Sequence, residues 1–78
     1  SPIEFSTYPN PFKDYLIIEN LPQGVESVSV LTLDGKFIET NQANSCCVKI
    51  DTRNLGKGAY LIRIEAQNNL STRLVFKR

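Results

Sequence analysis

The sequence predicts an all-β domain, an antiparallel sandwich of about seven short strands. Apolar residues recur with the strand period of about two rather than the helical period. Clusters of Pro, Gly, Asn and Asp punctuate the chain at hairpin intervals. Val, Ile, Thr, Tyr and Phe crowd the runs between them, as they do on pleated, half-buried surfaces. A half-open barrel is the second architecture that the same pattern allows.

Ile3-Glu4-Phe5-Ser6 alternates apolar and polar and reads as a first strand. Tyr8-Pro9-Asn10-Pro11-Phe12 follows. Each Pro fixes its own φ near −65° and lacks an N–H, and each pushes the residue before it, Tyr8 or Asn10, toward extended geometry. The stretch is therefore a stiff corner, neither helix nor central strand, and it is expected to set the first crossover of the sandwich. Tyr15 to Glu19 is a β-rich run, and Asn20-Leu21-Pro22-Gln23-Gly24 is a loop. Val25 to Leu33 is the longest strand candidate. Asp34-Gly35 then suits a type I′ hairpin turn, in which both central residues take φ > 0, before Lys36-Phe37-Ile38.

Asn41 to Ser45 reads as a polar loop. Cys46 to Asp51 is a strand with Cys46, Val48 and Ile50 on one face, which points Cys46 inward and Cys47 outward with Lys49. Thr52 to Gly58 is turn-rich. In Ala59 to Ala66, Tyr60, Ile62 and Ile64 share one face, and Leu61, Arg63 and Glu65 share the other. Asn68-Asn69 marks a turn. In Ser71 to Lys77, Thr72, Leu74 and Phe76 lie opposite Arg73, Val75 and Lys77. Leu55-Gly56-Lys57-Gly58-Ala59-Tyr60 has the pattern of a tyrosine corner, in which a Tyr at a strand start bonds nearby backbone and pins a crossover. Leu55 would plug the core, Gly58 would allow close backbone approach, and Tyr60 would be the pin.

The totals exclude several classes of function. A chain of 78 residues is one small domain, 1–78, its first few residues reading as linker. A hydrophobic share of 41% supports one core, and a net charge of +1 gives no nucleic-acid footprint. No apolar run approaches the roughly 20 residues that span a bilayer, and no signal-peptide pattern is present. Ser1-Pro2 in place of Met reads as a fragment or mature piece, with any export signal of the parent upstream.

The chain has no His, which removes the usual general base and the commonest metal ligand. No nucleophile–base pair stands out, so the reading is a non-enzyme without cofactor or metal. The acids Glu4, Asp14, Glu19, Glu26, Asp34, Glu39, Asp51 and Glu65 are scattered and read as solvated faces and hairpin tips rather than a paired catalytic cleft. Asp51-Thr52-Arg53-Asn54 interposes an Arg among its oxygens and suits calcium poorly. Gly56-Lys57-Gly58 is too short for a phosphate loop. Asn69-Leu70-Ser71 is a chance-level glycosylation tripeptide. Neighbouring Cα atoms lie about 3.8 Å apart, below the usual disulfide range, so Cys46 and Cys47 are not expected to bond to each other. An exposed Cys47 would be open to intermolecular disulfides. Lys77-Arg78 reads either as solvated charge or as a recognition tag on a strand whose edge accepts a partner.

Taken in order, these motifs carry a resemblance. They are Tyr8-Pro9-Asn10-Pro11, Tyr15-Leu16-Ile17-Ile18, Val28 to Lys36, Ile50 to Leu55, Gly58 to Ile64, and Thr72 to Arg78. The chain resembles the C-terminal sorting domain of the type IX (Por) secretion system of Bacteroidetes-type bacteria, from about Tyr8 to its last residue. The resemblance implies an Ig-like, Greek-key sandwich at the end of a secreted cargo protein. It implies a non-enzymatic address label, read by an outer-membrane translocon and its shuttle protein. It also implies periplasmic transit, then the cell surface or release. A sortase-like cysteine protease would remove the domain by a cut near or before Ser1-Pro2. The family's signal would fall on Gly58, Tyr60, Leu74, Val75, Lys77 and Arg78. Tyr8, Pro9, Asn10, Pro11, Asp34, Gly35 and Leu55 would be structural. An exposed terminal strand also leaves room for a strand-swapped dimer. The competing reading is an Ig-like adhesion or carbohydrate-binding module that stays on a cell-surface protein. It would use Tyr8, Phe12, Tyr15 or Phe37 as an aromatic platform, although most of these read as core residues.

Overall fold

The computed structural model describes residues 3–43 and 46–78. Ser1, Pro2, Asn44 and Ser45 lie outside the described residues, and with them the expected cut near Ser1-Pro2 and the end of the expected polar loop. The described residues form seven strands: β1 Ser6–Tyr8, β2 Tyr15–Glu19, β3 Val25–Leu31, β4 Phe37–Gln42, β5 Val48–Asp51, β6 Gly58–Ala66 and β7 Asn69–Lys77. All named pairings are antiparallel. One sheet has the order β1-β2-β5 and the other β4-β3-β6-β7. Period-two alternation points Leu16, Ile18 and Ile50 of the first sheet at Val28, Val30, Ile62, Ile64 and Val75 of the second, and all eight are buried. The architecture is an Ig-like sandwich. It differs from the constant-type arrangement in that the fourth strand pairs with the third, across the sandwich from β5.

The first strand starts later than the alternation predicts, at Ser6. Ile3 and Phe5 are core residues, but their carbonyls are taken by side chains of β7. Ser71 Oγ donates to Ile3 O (3.3 Å), and an Arg73 guanidinium N–H donates to Phe5 O (2.7 Å).

The proline corner does not set a crossover. It joins β1 to β2, which are neighbours in one sheet, and both its X-Pro bonds are cis. What it does instead is reach across to the last strand. Phe12, 1% exposed, donates its N–H to Phe76 O (2.9 Å) and accepts the Arg78 N–H (3.0 Å). Asn10 Oδ1 accepts the Phe76 N–H (3.1 Å). The C-terminal end of β7 is thus capped by residues from the start of the chain.

The Asp34-Gly35 hairpin forms, but not as a type I′ turn. Gly35 has φ +92° and Asp34 has no positive φ. Gly35 N–H bonds Thr32 O (3.0 Å) and Thr32 N–H bonds Lys36 O (2.9 Å). These bonds define a three-residue loop, Leu33-Asp34-Gly35, with a left-handed Gly at its end. Thr32 is thereby drawn into the turn, so β3 stops at Leu31. The Thr32 hydroxyl bonds the Asp34 carboxylate and holds its pKa below the ordinary value. β4 in turn runs through Asn41 and Gln42, paired with Val28 and Ser27, where a loop was expected.

Cys46 does not face the core. Pairing in β5 begins at Val48, opposite Ile18. Cys46 sits before it on a loop, its carbonyl accepting Leu21 N–H at 3.0 Å. The alternation that would turn Cys46 inward has not started there, and both cysteines are exposed.

Candidate recognition surface

The β6–β7 ladder pairs nine residues in unbroken register, from Gly58↔Lys77 to Ala66↔Asn69. It gathers the six residues of the expected signal at one end of a single sheet. Their orientations then separate them. Tyr60 pairs with Val75 on the core side; Val75 is fully buried, and Tyr60 packs on the core. The Tyr60 hydroxyl donates to Gly56 O at 2.7 Å, four residues upstream, which is the expected tyrosine corner. Leu55 packs against the core as expected. Gly58 is needed for its φ of +140° rather than for close approach, since a Cβ there would meet nothing within 4 Å.

Lys77 also turns inward. Its ammonium bonds Thr52 O, on the loop whose buried Thr52 hydroxyl holds Lys13 O at 2.9 Å. Arg73 shares that side, with its guanidinium 4.3 Å from the Phe5 ring centroid. The inner face of β7 is therefore a clamp on residues from the first third of the chain and from the β5–β6 loop. Of the six expected residues, Gly58, Leu74 and Arg78 are exposed, and of these only Leu74 and Arg78 carry a side chain.

Beside Leu74, the outer face carries residues that the sequence reading did not assign to the signal. Leu74 stands opposite Leu61, Leu61 opposite Leu31, and Leu31 opposite Phe37. These four form an apolar row across the four-stranded sheet, with a register shift between Val30 and Leu31 where it passes to β4. Phe76 lies beside Leu74 on the same face, by the same alternation. Leu74 and Phe76 are 45% and 49% exposed, Phe37 52%, whereas Leu31 is only 5% exposed without belonging to the core cluster. Arg63 lies in the next row with its guanidinium 5.5 Å from the Phe37 ring centroid. Its Nε is buried with no hydrogen-bond partner among the described residues. The signal for this row was the outward half of the strand alternation, Leu61 and Leu74-x-Phe76, which is invisible until the strands are put in register.

Charge is uneven along the chain. Five of the nine Lys and Arg residues, but only one of the eight acids, lie from Lys57 onward. The edge of β7 is also open in part. The Phe76 N–H and C=O point away from β6 to Asn10 and Phe12, so those of Leu74 and Thr72 point the same way. β7 is the last strand of its sheet, so among the described residues the backbone of those two faces the open edge.

The platform expected of an adhesion module is not assembled. Phe12 is core, while Tyr8, Tyr15 and Phe37 are exposed rather than core residues. Tyr8 and Tyr15 lie on the three-stranded sheet and Phe37 on the four-stranded one. Tyr8 donates to Glu19 at 3.0 Å, which raises its pKa, and Lys49 lies 5.0 Å from the Tyr15 ring centroid. Among the described residues no group of His, Cys, Asp and Glu is placed to hold a metal ion. Asp51 and Arg53 pair with each other at 2.7 Å.

An Ig-like sandwich with a tyrosine corner, its last strand capped by a proline-rich corner from its start, defines a class of small β modules. The chain belongs within it to the secretion system C-terminal sorting domain family, whose model matches residues 6–77. It is a type IX sorting tail, and such tails mark proteins for export to the cell surface or medium. Among solved structures it is similar to PorZ of Porphyromonas gingivalis, described as an essential bacterial surface component of the type IX secretion system. The TM-score is 0.83 and the identity 19%, covering 95% of this chain and 11% of that one. The chain thus spans a small part of that protein, and the likeness is one of fold. A search of curated protein sequences finds no match.

Proposed function

We propose that this domain is the address label of a cargo protein lying N-terminal to it, and that the outward side of β7 is what the secretion machinery reads. The observation that carries this is the apolar row that ends at the exposed Leu74 and Phe76, next to the open backbone of Thr72 and Leu74. Monomeric domains bury such surface or use it. An outer-membrane translocon and its shuttle protein are the expected readers. They would add contacts to the edge by strand pairing and to the face by apolar packing. The excess of cations from Lys57 onward favours an acidic partner surface. Arg78 would contribute there directly, whereas Gly58, Tyr60, Val75 and Lys77 would act by holding β7 in place.

After periplasmic transit, a sortase-like protease would remove the domain upstream of β1. A strand-swapped dimer, the remaining expectation, requires β7 to leave both β6 and Phe12 in each copy. The test is a folded reporter carrying an inner-membrane signal peptide and this domain, expressed in a host that has the system. Surface or medium localisation with loss of the domain's mass is the expected result. Retention in the periplasm would contradict the label, and secretion with the domain still attached would favour an adhesion module instead.

A further inference from the structure

The Cys46 and Cys47 sulfurs face each other at 3.3 Å on an exposed loop. The loop is tethered on one side by Leu21 N–H to Cys46 O at 3.0 Å and continues on the other into β5, paired with β2. Two neighbouring side chains of an extended segment ordinarily diverge to opposite faces; here they converge. We propose that the pair is a covalent redox site. It exchanges with a small-molecule disulfide and closes reversibly into a ring between adjacent residues.

The chemistry runs in two displacements. One cysteine thiolate attacks a sulfur of the small disulfide, forming a mixed disulfide and expelling one thiolate, which is protonated to a thiol. The second cysteine, already within van der Waals range, then attacks the protein sulfur of that mixed disulfide and expels the second thiol. The two cysteines lose two electrons and two protons, and the small disulfide gains both, becoming two thiols. Closure needs the sulfurs to move from 3.3 Å to the bond length of about 2.05 Å. Adjacent Cα atoms are about 3.8 Å apart, inside the usual disulfide separation, so the closed ring is strained and easily reduced. Strained, exposed disulfides are the labile ones. The site therefore cycles rather than serving as a permanent staple.

The same geometry disfavours cross-linking between copies, because the neighbouring thiol resolves a mixed disulfide before a second protein molecule arrives. The Cys47 thiol is held above its ordinary pKa, first by its hydrogen bond with Cys46, so the exchange should quicken as pH rises and the thiolate forms. Export would carry the pair through oxidising surroundings. The proposal itself concerns only the domain's own chemistry and stands or falls independently of the sorting role.

The experiment is a titration of the folded, fully reduced domain with oxidised glutathione, read by intact mass and non-reducing electrophoresis. The expected product is a monomer lighter by two hydrogens, which returns to the dithiol on addition of reduced glutathione. Cys46→Ser and Cys47→Ser should each stop at the mixed disulfide, one glutathione heavier. Wild-type protein that accumulates the mixed disulfide, or a disulfide-linked dimer, would overturn the proposal. So would a ring that reduced glutathione cannot reopen.

Discussion

Three single side chains make local interactions whose removal can be measured. Tyr60 pins the entry to β6 through one hydrogen bond to Gly56 O. Tyr60→Phe removes that bond and keeps the ring on the core, so chemical denaturation should show a loss of about 1 kcal/mol; a loss of only a few tenths would mean that the bond does not pin the corner. Phe12 fills the core and bonds β7 on both of its backbone groups. Phe12→Ala should cost about 3–5 kcal/mol and loosen the end of β7, which hydrogen exchange at Phe76 and Arg78 would reveal. Asp51 accepts the Arg53 side chain and backbone N–H, and this lowers its pKa from 3.8 to about 2. A lowered folded pKa stabilises the protein above the unfolded value and is lost as pH falls toward 2. Carboxyl NMR titration should place the Asp51 midpoint near 2, and Arg53→Ala should return it toward 3.8.

At the scale of elements, what was legible in the sequence is the alternation inside each strand. Ile62 and Ile64 inward, Leu61 and Arg63 outward, and the Tyr60 corner all follow from local pattern and turn chemistry. What was not legible depends on contacts between distant segments. The proline corner looked like a crossover because its prolines constrain only local geometry; its bonds to Phe76 and Arg78 span most of the chain. Cys46 was misplaced because the alternation was started two residues before pairing begins. The three-residue hairpin was missed because Thr32, a good strand residue, gives its N–H and C=O to the turn. The expected recognition residues were found as a cluster, yet only register shows that Leu74 faces out while Val75 and Lys77 face in. A consequence at this scale is that removing Leu74 to Arg78 should disturb the fold as well as the proposed signal. It should lower the thermal midpoint sharply, by loss of Val75 from the core and of the partners of Phe12. A truncated domain melting like the intact one would show that the β7 end does not stabilise the sandwich.

For the whole molecule, the inner face of β7 holds the sandwich together, and its outer face is the one proposed to be read during export. The measurement that separates these is secretion by the reporter carrying Leu74→Glu with Phe76→Glu. Both side chains are about half exposed, so the sandwich should form and melt within a few degrees of wild type, checked on the purified domain. This folded variant should stay in the periplasm while a Tyr15→Glu control on the opposite sheet is exported. Normal secretion of the folded double variant would contradict it and would move the recognition surface elsewhere on the domain.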